Sequence, residues 1–421
     1  MFWEQNVFIG TETDIGLRRK NNEDSHSTHL CLTEAEWRRH GHLFIVADGM
    51  GGHAVGELAS RIAVDTIPHT FLKSNERDVR TTLREAVLCA NSAIHARGTQ
   101  NEDFLHMGTT CTALTLSRQG AIVAHVGDSR AYRIRRDRID QLTFDHSLEW
   151  ELERNHHKFS SAIDLAQHKN IITRSLGPEP TVQVDVEGPY PVLPNDTFLL
   201  CSDGLSNLVA DEEMGAIARE LPPENAAKLL IHLANIRGGP DNSTVIIARV
   251  GELPANVEPE FLPEEPDDQQ SLGWAWLIGF WVVAMFLAGG LSLLAIQRTI
   301  AGVAVTACSS IALLALLVAS FRQTRQKLQS EFRSHAGRPH RTAVALDSKP
   351  LFERLAEISH DLQRAAREDG WNVNWKLHDQ AIQAAESAAE SLRYAKAVRH
   401  VSRAIDSLMQ EHPHTASSPK P

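Results

Sequence analysis

The sequence predicts an α+β fold in which antiparallel β-sheets pack between helices, followed by two transmembrane helices and a C-terminal helical region. Three observations lead to this prediction. Short runs rich in Val, Ile, Leu and Thr recur through residues 1–250. Only a few residues separate several of these runs, which favours hairpins between antiparallel neighbours over crossover helices. Beyond residue 270 the chain contains two long apolar stretches without charge.

The elements of the first 250 residues follow from their residue patterns. Helices are predicted where apolar residues recur at three- and four-residue steps, at 55–72, 78–97, 147–156 and 209–236. Strands are predicted where β-rich runs end at turn residues, at 42–47, 111–117, 121–126, 131–135, 182–186, 197–201 and 243–250. Gly120 lies in a gap short enough for a tight hairpin turn, so the runs on either side of it are expected to pair.

Composition limits the class of protein. The chain has 421 residues and 42% hydrophobic residues, which is typical of a globular protein of two or three units. Its formal charge of −11 argues against general nucleic-acid binding. Five scattered cysteines form no CxxC pair, and the N-terminus has no signal-peptide pattern, so we expect a reducing compartment.

Shifts in composition divide the chain into six parts. The predicted boundaries enclose a globular domain at 1–250, an acidic Pro-rich linker at 251–272, a helical hairpin at 273–321, a basic linker at 322–349, a helical accessory region at 350–411 and a disordered tail at 412–421. The accessory region has amphipathic spacing, which is typical of a helical hairpin or small bundle. A single degenerate helical repeat is the alternative, although no second copy follows at a fixed period.

The hairpin is predicted to cross a membrane. Residues 274–296 and 300–321 carry no formal charge, and a bilayer core requires about 20 apolar helical residues. A hairpin buried in a globular core is the alternative. Six Lys and Arg residues against one acid follow the second run, which places that side in the cytoplasm. An even number of spans then places residues 1–270 and 322–421 on the same, cytoplasmic side.

The candidate chemistry lies in aspartates that follow apolar strands. Asp48, Asp128 and Asp203 each come directly after such a run or within two residues of its end, and Asp241 precedes another. A lone aspartate at this position is most often a turn former or a helix cap. Several carboxylates at one end of a sheet would repel one another unless a divalent cation lies between them. The pattern therefore favours water activated by bound Mg²⁺ or Mn²⁺, since no P-loop, GxSxG or HExxH motif is present.

With these residues in view, the chain resembles the PPM family of metal-dependent serine/threonine phosphatases, type 2C, in its bacterial form. The resemblance covers about residues 8–250. Eight motifs occur in the family's order: GLRRKNNED (16–24), VADGMGGHAVGELAS (46–60), GTTCTAL (108–114), VGDSRAYRI (126–134), LTFDHSL (142–148), NIITRSLG (170–177), LLCSDGLSN (199–207) and PDNSTVIIARV (240–250). The family fold is a pair of antiparallel sheets sandwiched between helices, which agrees with the reading from the residues.

The resemblance assigns a role to each matching residue. Arg19 matches the phosphate-binding arginine, and Asp48 matches the aspartate that bridges two metal ions and so also counts as catalytic. The remaining metal-binding positions, by the same resemblance, are Gly49 through its carbonyl, Asp203, Asp241, the acidic pair Glu23 and Asp24, and Asp128 for a third, looser ion. The implied cofactors are two Mn²⁺ or Mg²⁺ ions per site.

Two features near these motifs bear on substrate handling. Met50 occupies the position where animal members of the family often have a general-acid histidine, so protonation of the leaving group by that histidine is not expected. Residues 147–172 coincide with the family's flap beside the substrate groove.

The sequence therefore predicts a membrane-anchored phosphatase that hydrolyses phosphoserine and phosphothreonine in proteins. Its expected partners are phosphorylated proteins, a cognate Ser/Thr kinase and the membrane, with no nucleic acid. Two alternatives stay open: a catalytically weak scaffold that binds phosphoproteins at the membrane, and a phosphatase specific for one regulatory protein.

Overall fold

The structure, a computed structural model, describes residues 7–51, 54–74, 76, 78–104, 107–154, 171–251, 273–310, 312–313 and 339–411. The strands are β1 (Val7–Asp14), β2 (Asp24–His29), β3 (His42–Met50), β4 (Gly108–Thr109), β5 (Cys111–Ser117), β6 (Gly120–Val126), β7 (Arg130–Arg135), β8 (Arg138–Gln141), β9 (Asp185–Tyr190), β10 (Thr197–Cys201), β11 (Ser243–Val250) and β12 (Arg341–Val344). The helices are α1 (Glu34–Arg39), α2 (Ala54–Lys73), α3 (Val79–Gly98), α4 (Leu148–Arg154), α5 (Asp203–Ser206), α6 (Asp211–Glu220), α7 (Pro223–Ile236), α8 (Gly273–Ala295), α9 (Ser348–Glu368), α10 (Trp375–Glu390) and α11 (Tyr394–Met409).

Two antiparallel sheets form the centre of the fold. The first has the strand order β1-β11-β10-β7-β8-β12, and the second has the order β2-β3-β5-β6-β9, with β4 paired to β3. Successive side chains along β3 alternate between two cores: Phe44 and Val46 face the other sheet, while Leu43 and Ile45 pack under α2 and α3. A strand buried on both faces reads as a continuous apolar run, which is why β3, β5 and β10 were predictable.

The predicted fold class is confirmed for the described residues, with differences at the edges. The expected helix at 209–236 is two helices, because Leu221 precedes Pro222 and has the extended backbone that a following proline favours. The expected strand at 182–186 lies at 185–190. Strands β1, β2 and β8 and helix α1 were not predicted, and β2, an edge strand with the sequence DSHSTH, has no apolar residue to indicate it.

The C-terminal region belongs to the same compact unit as the first domain. Strand β12, inside the predicted basic linker at 322–349, pairs with β8 and extends the first sheet. Behind that sheet, Leu351, Val398 and Ile405 share one core cluster with Leu230 and Leu233 of α7. The region predicted as a separate accessory part at 350–411 thus starts two residues earlier, at α9, and packs on the outer helices of the first sheet.

The two predicted membrane spans are not supported. Helix α8 coincides with most of the first predicted span, 274–296. Residues 300–310 and 312–313 of the second, 300–321, are helical, and residues 311 and 314–321 lie outside the described part of the chain. A span requires both length and apolarity, and among the helices that the structure describes none has enough of both to cross a membrane. The predicted membrane hairpin and its two spans are therefore not supported by the described residues, and a membrane partner is not shown. The predicted linker at 251–272 and tail at 412–421 fall almost entirely outside the described residues.

Candidate metal and phosphate site

Strand pairing brings the candidate acids to one end of the sandwich. Asp24 at the start of β2 lies directly opposite Asp48, near the end of β3. Asp203 follows β10, and Asp241 precedes β11, the strand that pairs with β10. Asp128 lies in the turn between β6 and β7. Antiparallel pairing thus places the last residues of some strands beside the first residues of others, and the carboxylates meet at that edge.

The two carboxylate oxygens of Asp24 have different surroundings. The Ser202 hydroxyl donates to Asp24 Oδ2 at 2.7 Å, and the same hydroxyl accepts the Thr244 amide at 2.9 Å. The other oxygen, Asp24 Oδ1, is buried and has no hydrogen-bond partner among the described residues. Asp128 Oδ1 is in the same state. A buried carboxylate oxygen without a partner is costly, so these two atoms indicate that the site needs a further group to satisfy them.

The backbone around Asp48 is fixed by neighbouring threonines. The Asp48 amide donates to Thr110 Oγ1 at 2.9 Å, and its carbonyl accepts the Thr110 amide at 2.8 Å and the Thr109 hydroxyl at 2.9 Å. The next residue, Gly49, approaches Gly56 so closely that a Cβ on Gly49 would lie 2.1 Å from the Gly56 carbonyl oxygen. A side chain at position 49 would therefore force β3 away from helix α2.

Asn242 ties the loop after β1 to the start of β11. Its Oδ1 accepts the Glu23 amide at 2.8 Å, while its Nδ2 donates to the carbonyls of Ile15 and Asn21 at 2.9 and 3.0 Å. The Glu23 carbonyl in turn accepts the Gly49 amide at 3.1 Å and the Ser60 hydroxyl at 2.6 Å. This network fixes the acidic pair Glu23 and Asp24 relative to Asp48.

The electrostatics of the cluster disfavour ionised carboxylates. Burial, reinforced by the charges of Asp203 and Asp241, raises the pKa of Asp24 to about 7. Burial and the charges of Asp203 and Asp145 raise the pKa of Asp128 to about 8. The pKa values of Asp48 and Asp203 are raised as well, chiefly by burial and then by neighbouring aspartates. A divalent cation would replace the protons that these groups otherwise hold.

The carboxylate and carbonyl oxygens present here are the donor set of hard cations such as Mg²⁺ and Mn²⁺, so the residues fit such ions. Within the described ranges, however, no three acidic, histidine or cysteine side chains already have the arrangement of a metal-binding group. Asp48 and Asp203 instead share a hydrogen bond, which lowers the pKa of Asp203 against the larger effect of burial.

Arg19 lies at the entrance of the cluster. Its guanidinium donates to Asp241 Oδ2 at 2.7 Å, and its side chain is 47% exposed. Partial burial works to lower the Arg19 pKa, but the hydrogen bond and charge of Asp241 raise it overall. An exposed guanidinium beside a carboxylate cluster is suited to bind an anionic group that approaches from solvent.

A second set of charged residues lies next to Asp128. Arg130 donates to Asp145, with its Nε 2.8 Å from Oδ2, and the His146 amide donates to the Gly127 carbonyl at 2.7 Å. His146 Nε2 lies 3.1 Å from Asp185, which also accepts from Arg174 at 3.0 Å. These contacts fix the turn that carries Asp128 to the segment leading into α4.

Comparison with known proteins agrees with this architecture. A family model described as protein phosphatase 2C matches residues 10–156. A putative protein phosphatase 2C-type of Streptococcus pyogenes is 34% identical over 243 residues, covering 57% of this chain and 96% of the relative. The serine/threonine phosphatase stp of Listeria welshimeri is 37% identical over 242 residues, covering 56% of this chain and 92% of the relative.

The chain belongs to the protein phosphatase 2C family. Members are metal-dependent hydrolases, so the predicted enzyme class is confirmed. Among solved structures, the Mycobacterium tuberculosis serine/threonine phosphatase PstP/Ppp is similar with a TM-score of 0.52 and 32% identity, covering 59% of this chain and 100% of that one. The catalytic domain of PstP in complex with two manganese ions is similar with a TM-score of 0.50 and 32% identity, covering 59% and 99%.

For this phosphatase, the structure brings the sequence-predicted acids together, and their roles as metal ligands stay predictions. Sequence reasoning missed the residues that hold them, because Ser202 and Thr110 act through hydrogen bonds that join distant strands. A weak signal did exist, since each of these residues lies inside one of the motifs. Residues 155–170 of the predicted flap lie outside the described residues, and α4 covers part of the remainder.

Proposed function

We propose that this phosphatase hydrolyses phosphoserine and phosphothreonine in proteins, with two Mn²⁺ or Mg²⁺ ions at the candidate site. The observation that carries the proposal is the buried carboxylate cluster, in which the pKa values of Asp24, Asp48, Asp128 and Asp203 are all raised. Such a cluster is costly unless cations neutralise it. The Ser/Thr phosphatase names of the relatives and the two manganese ions of the PstP complex support the same assignment.

The candidate metal-binding groups are the carboxylates of Asp48, Asp203 and Asp241, the Gly49 carbonyl and the acidic pair at 23–24. Asp128, whose Oδ1 is buried without a partner among the described residues, is the candidate group for a third ion. Bound divalent ions would supply an activated water and neutralise charge on the phosphoryl oxygens.

This chain's own residues bind and orient the phosphate. Arg19 projects from the loop after β1 with its guanidinium hydrogen-bonded to Asp241, and a phosphoryl oxygen would compete for its remaining N–H donors. Met50 has no titratable group at the position of the animal family's general acid. The proton for the leaving serine or threonine oxygen is therefore assigned to water.

The substrate class implies how the substrates arise. Phosphate esters on serine and threonine side chains are made by transfer from a nucleoside triphosphate, which is the reaction of a protein kinase. A serine/threonine kinase is therefore the proposed source of the substrates that this phosphatase consumes.

The test is hydrolysis of a phosphothreonine peptide by the full chain in Mn²⁺. Asp48→Ala and Asp203→Ala are expected to lower kcat/KM by a factor of about 10³ or more, because removal of a group needed for metal binding removes the chemistry. Asp65→Asn, on the exposed side of α2, is the matched control and should retain wild-type activity.

Two results would reject the proposal. Full turnover in excess EDTA would show that no divalent ion is needed. Peptide binding without hydrolysis, under any of the Mn²⁺ or Mg²⁺ conditions, would instead support a catalytically weak phosphoprotein-binding scaffold.

A further inference from the structure

Strand β12 is the last strand of the first sheet and lies beside the segment that contains α4. It pairs antiparallel with β8, with Arg341 opposite Gln141 and Val344 opposite Arg138. The Thr342 hydroxyl donates to Asp140 at 2.7 Å, and the His340 amide donates to the Gln141 carbonyl at 2.8 Å. Backbone pairing, together with these contacts, fixes the register, so residues 340 and 341 always face the same part of the domain.

The part that they face is the segment leading into and through α4. The Arg341 guanidinium lies over the Trp150 ring, 4.5 Å from its centroid, and the His340 ring lies 5.8 Å from the Phe144 ring. Phe144 and Trp150 contact each other edge-on at 5.1 Å. Trp150 is only 8% exposed, so Arg341 covers an otherwise buried ring from the solvent side.

The contacts continue from Trp150 to the candidate site. The Arg130 guanidinium also lies near the Trp150 ring, 6.0 Å from its centroid, and pairs with Asp145 at 2.7 Å. Arg130 is the first residue of β7 and is two residues from Asp128 in the chain. Gln141, the residue opposite Arg341, donates to Asp145 from its side chain at 2.8 Å. Two separate routes thus join β12 to the residues around Asp128.

The other end of β12 leads into the C-terminal helices. The Leu346 amide donates to the Glu212 carbonyl at 3.0 Å, and the Ser348 hydroxyl donates to Glu220 at 2.8 Å. Helices α9 and α11 then pack against the core cluster behind the first sheet. The position of β12 is therefore determined by the C-terminal region as well as by β8.

We propose that Arg341 is a positioning residue for phosphoprotein binding, acting through Trp150 to orient helix α4 against Arg130, the residue that pairs with Asp145 next to the candidate site. The inference rests on the proposed function. It assigns to the C-terminal region the task of setting affinity for the protein part of the substrate, while the phosphoryl chemistry stays with the carboxylate cluster. A small phosphate ester, which reaches no further than that cluster, does not depend on this contact.

Steady-state kinetics of the full chain in Mn²⁺ test this assignment. Arg341→Ala is expected to raise KM for a phosphothreonine peptide by roughly three- to ten-fold, the range of a cation–π contact, with kcat unchanged. KM for p-nitrophenyl phosphate should stay within about two-fold. Val344→Ala, at the far end of the same strand and 65% exposed, is the matched control and should leave both substrates unaffected.

A double-substitution cycle separates positioning from direct contact with substrate. In a Trp150→Leu background, which keeps an apolar side chain but removes the ring, Arg341→Ala should have no further effect on KM. An undiminished effect in that background would mean that Arg341 does not act through Trp150, and the inference would be overturned. Equal increases in KM for the peptide and for p-nitrophenyl phosphate would overturn it too.

Hydrogen exchange provides a readout that does not require turnover. Amides 148–151 of α4 should exchange faster in Arg341→Ala than in wild type or in Val344→Ala, whether or not the chain hydrolyses a given peptide. Unchanged exchange would contradict the positioning role by itself. If the wild-type chain has no phosphatase activity, the proposed function is rejected. The exchange result then decides by itself whether Arg341 positions α4.

Discussion

Replacement of Asp128 by asparagine should stabilise the metal-free chain. Burial, followed by the charges of Asp203 and Asp145, raises the pKa of Asp128 from 3.8 to about 8. Between these two values the folded state holds a proton that the unfolded state has lost. The stability of the folded chain therefore decreases as pH rises from about 4 to about 8, and the amide of asparagine removes that penalty.

The size of the effect follows from the same shift. Four pKa units at about 1.4 kcal/mol each give an upper bound of about 6 kcal/mol. The asparagine amide is still a buried polar group with its own desolvation cost, so we expect Asp128→Asn to recover only about 2 kcal/mol at pH 7.5. For a domain of about 250 residues, this corresponds to an increase in Tm of roughly 4–8 °C.

Thermal unfolding in EDTA, at pH 7.5 and at pH 5, is the assay. The gain should be larger at pH 7.5 than at pH 5, because the free-energy cost of keeping the folded carboxyl protonated grows as the pH rises above the unfolded-state pKa of 3.8. Asp65→Asn, which replaces an exposed aspartate on α2, should have the same Tm as the wild type at both pH values. A lower Tm for Asp128→Asn at pH 7.5, or the same gain at both pH values, would refute the reasoning. If Asp128 helps to bind an ion, then with Mn²⁺ present the wild type should have a higher Tm than Asp128→Asn.

Two further substitutions examine the groups around the site. Ser202→Ala removes the donor to Asp24, so the Mn²⁺ concentration for half-maximal activity should rise about ten- to a hundred-fold; an unchanged Mn²⁺ titration would contradict this role. Burial works to raise the pKa of Asp185, but His146 and Arg174 lower it to about 2. This carboxylate therefore stabilises the folded state above pH 4, and the stabilisation is lost as the pH falls towards 2. Asp185→Asn should therefore cost about 2 kcal/mol in urea unfolding at pH 7 and less at pH 3, and equal costs would count against it.

Much of the fold and of the candidate site is local in origin, and this part was predictable. The strands buried on both faces, such as β3 and β10, contain continuous apolar runs, and an aspartate followed by a glycine comes directly after the run in β3 and two residues after the end of β10. The edge strand β2 contains no apolar residue, and it forms because β3 supplies its backbone partners. This is why β2 was missed, whereas its neighbour β3 was predicted.

The residues that hold the acids in place were not predictable, because their contacts join distant parts of the chain. Asn242 hydrogen-bonds to residues more than 200 positions earlier, and Ser202 reaches Asp24 across 178 positions. No periodicity in a short window contains such a pairing. For the apolar runs at 274–296 and 300–321, hydropathy alone predicted two membrane spans, which the helices that the structure describes do not support.

The sequence by itself determined the class of fold, the order of the motifs and which acids could form a metal site, because strand patterns and chemical side-chain types are properties of short segments. Only the tertiary structure decided that β12 joins the first sheet and that Arg341 covers Trp150. A four-residue strand with the sequence RTAV has no local reason to be a strand. It becomes one because β8 offers an open edge some 200 residues earlier, and backbone groups at such an edge need partners.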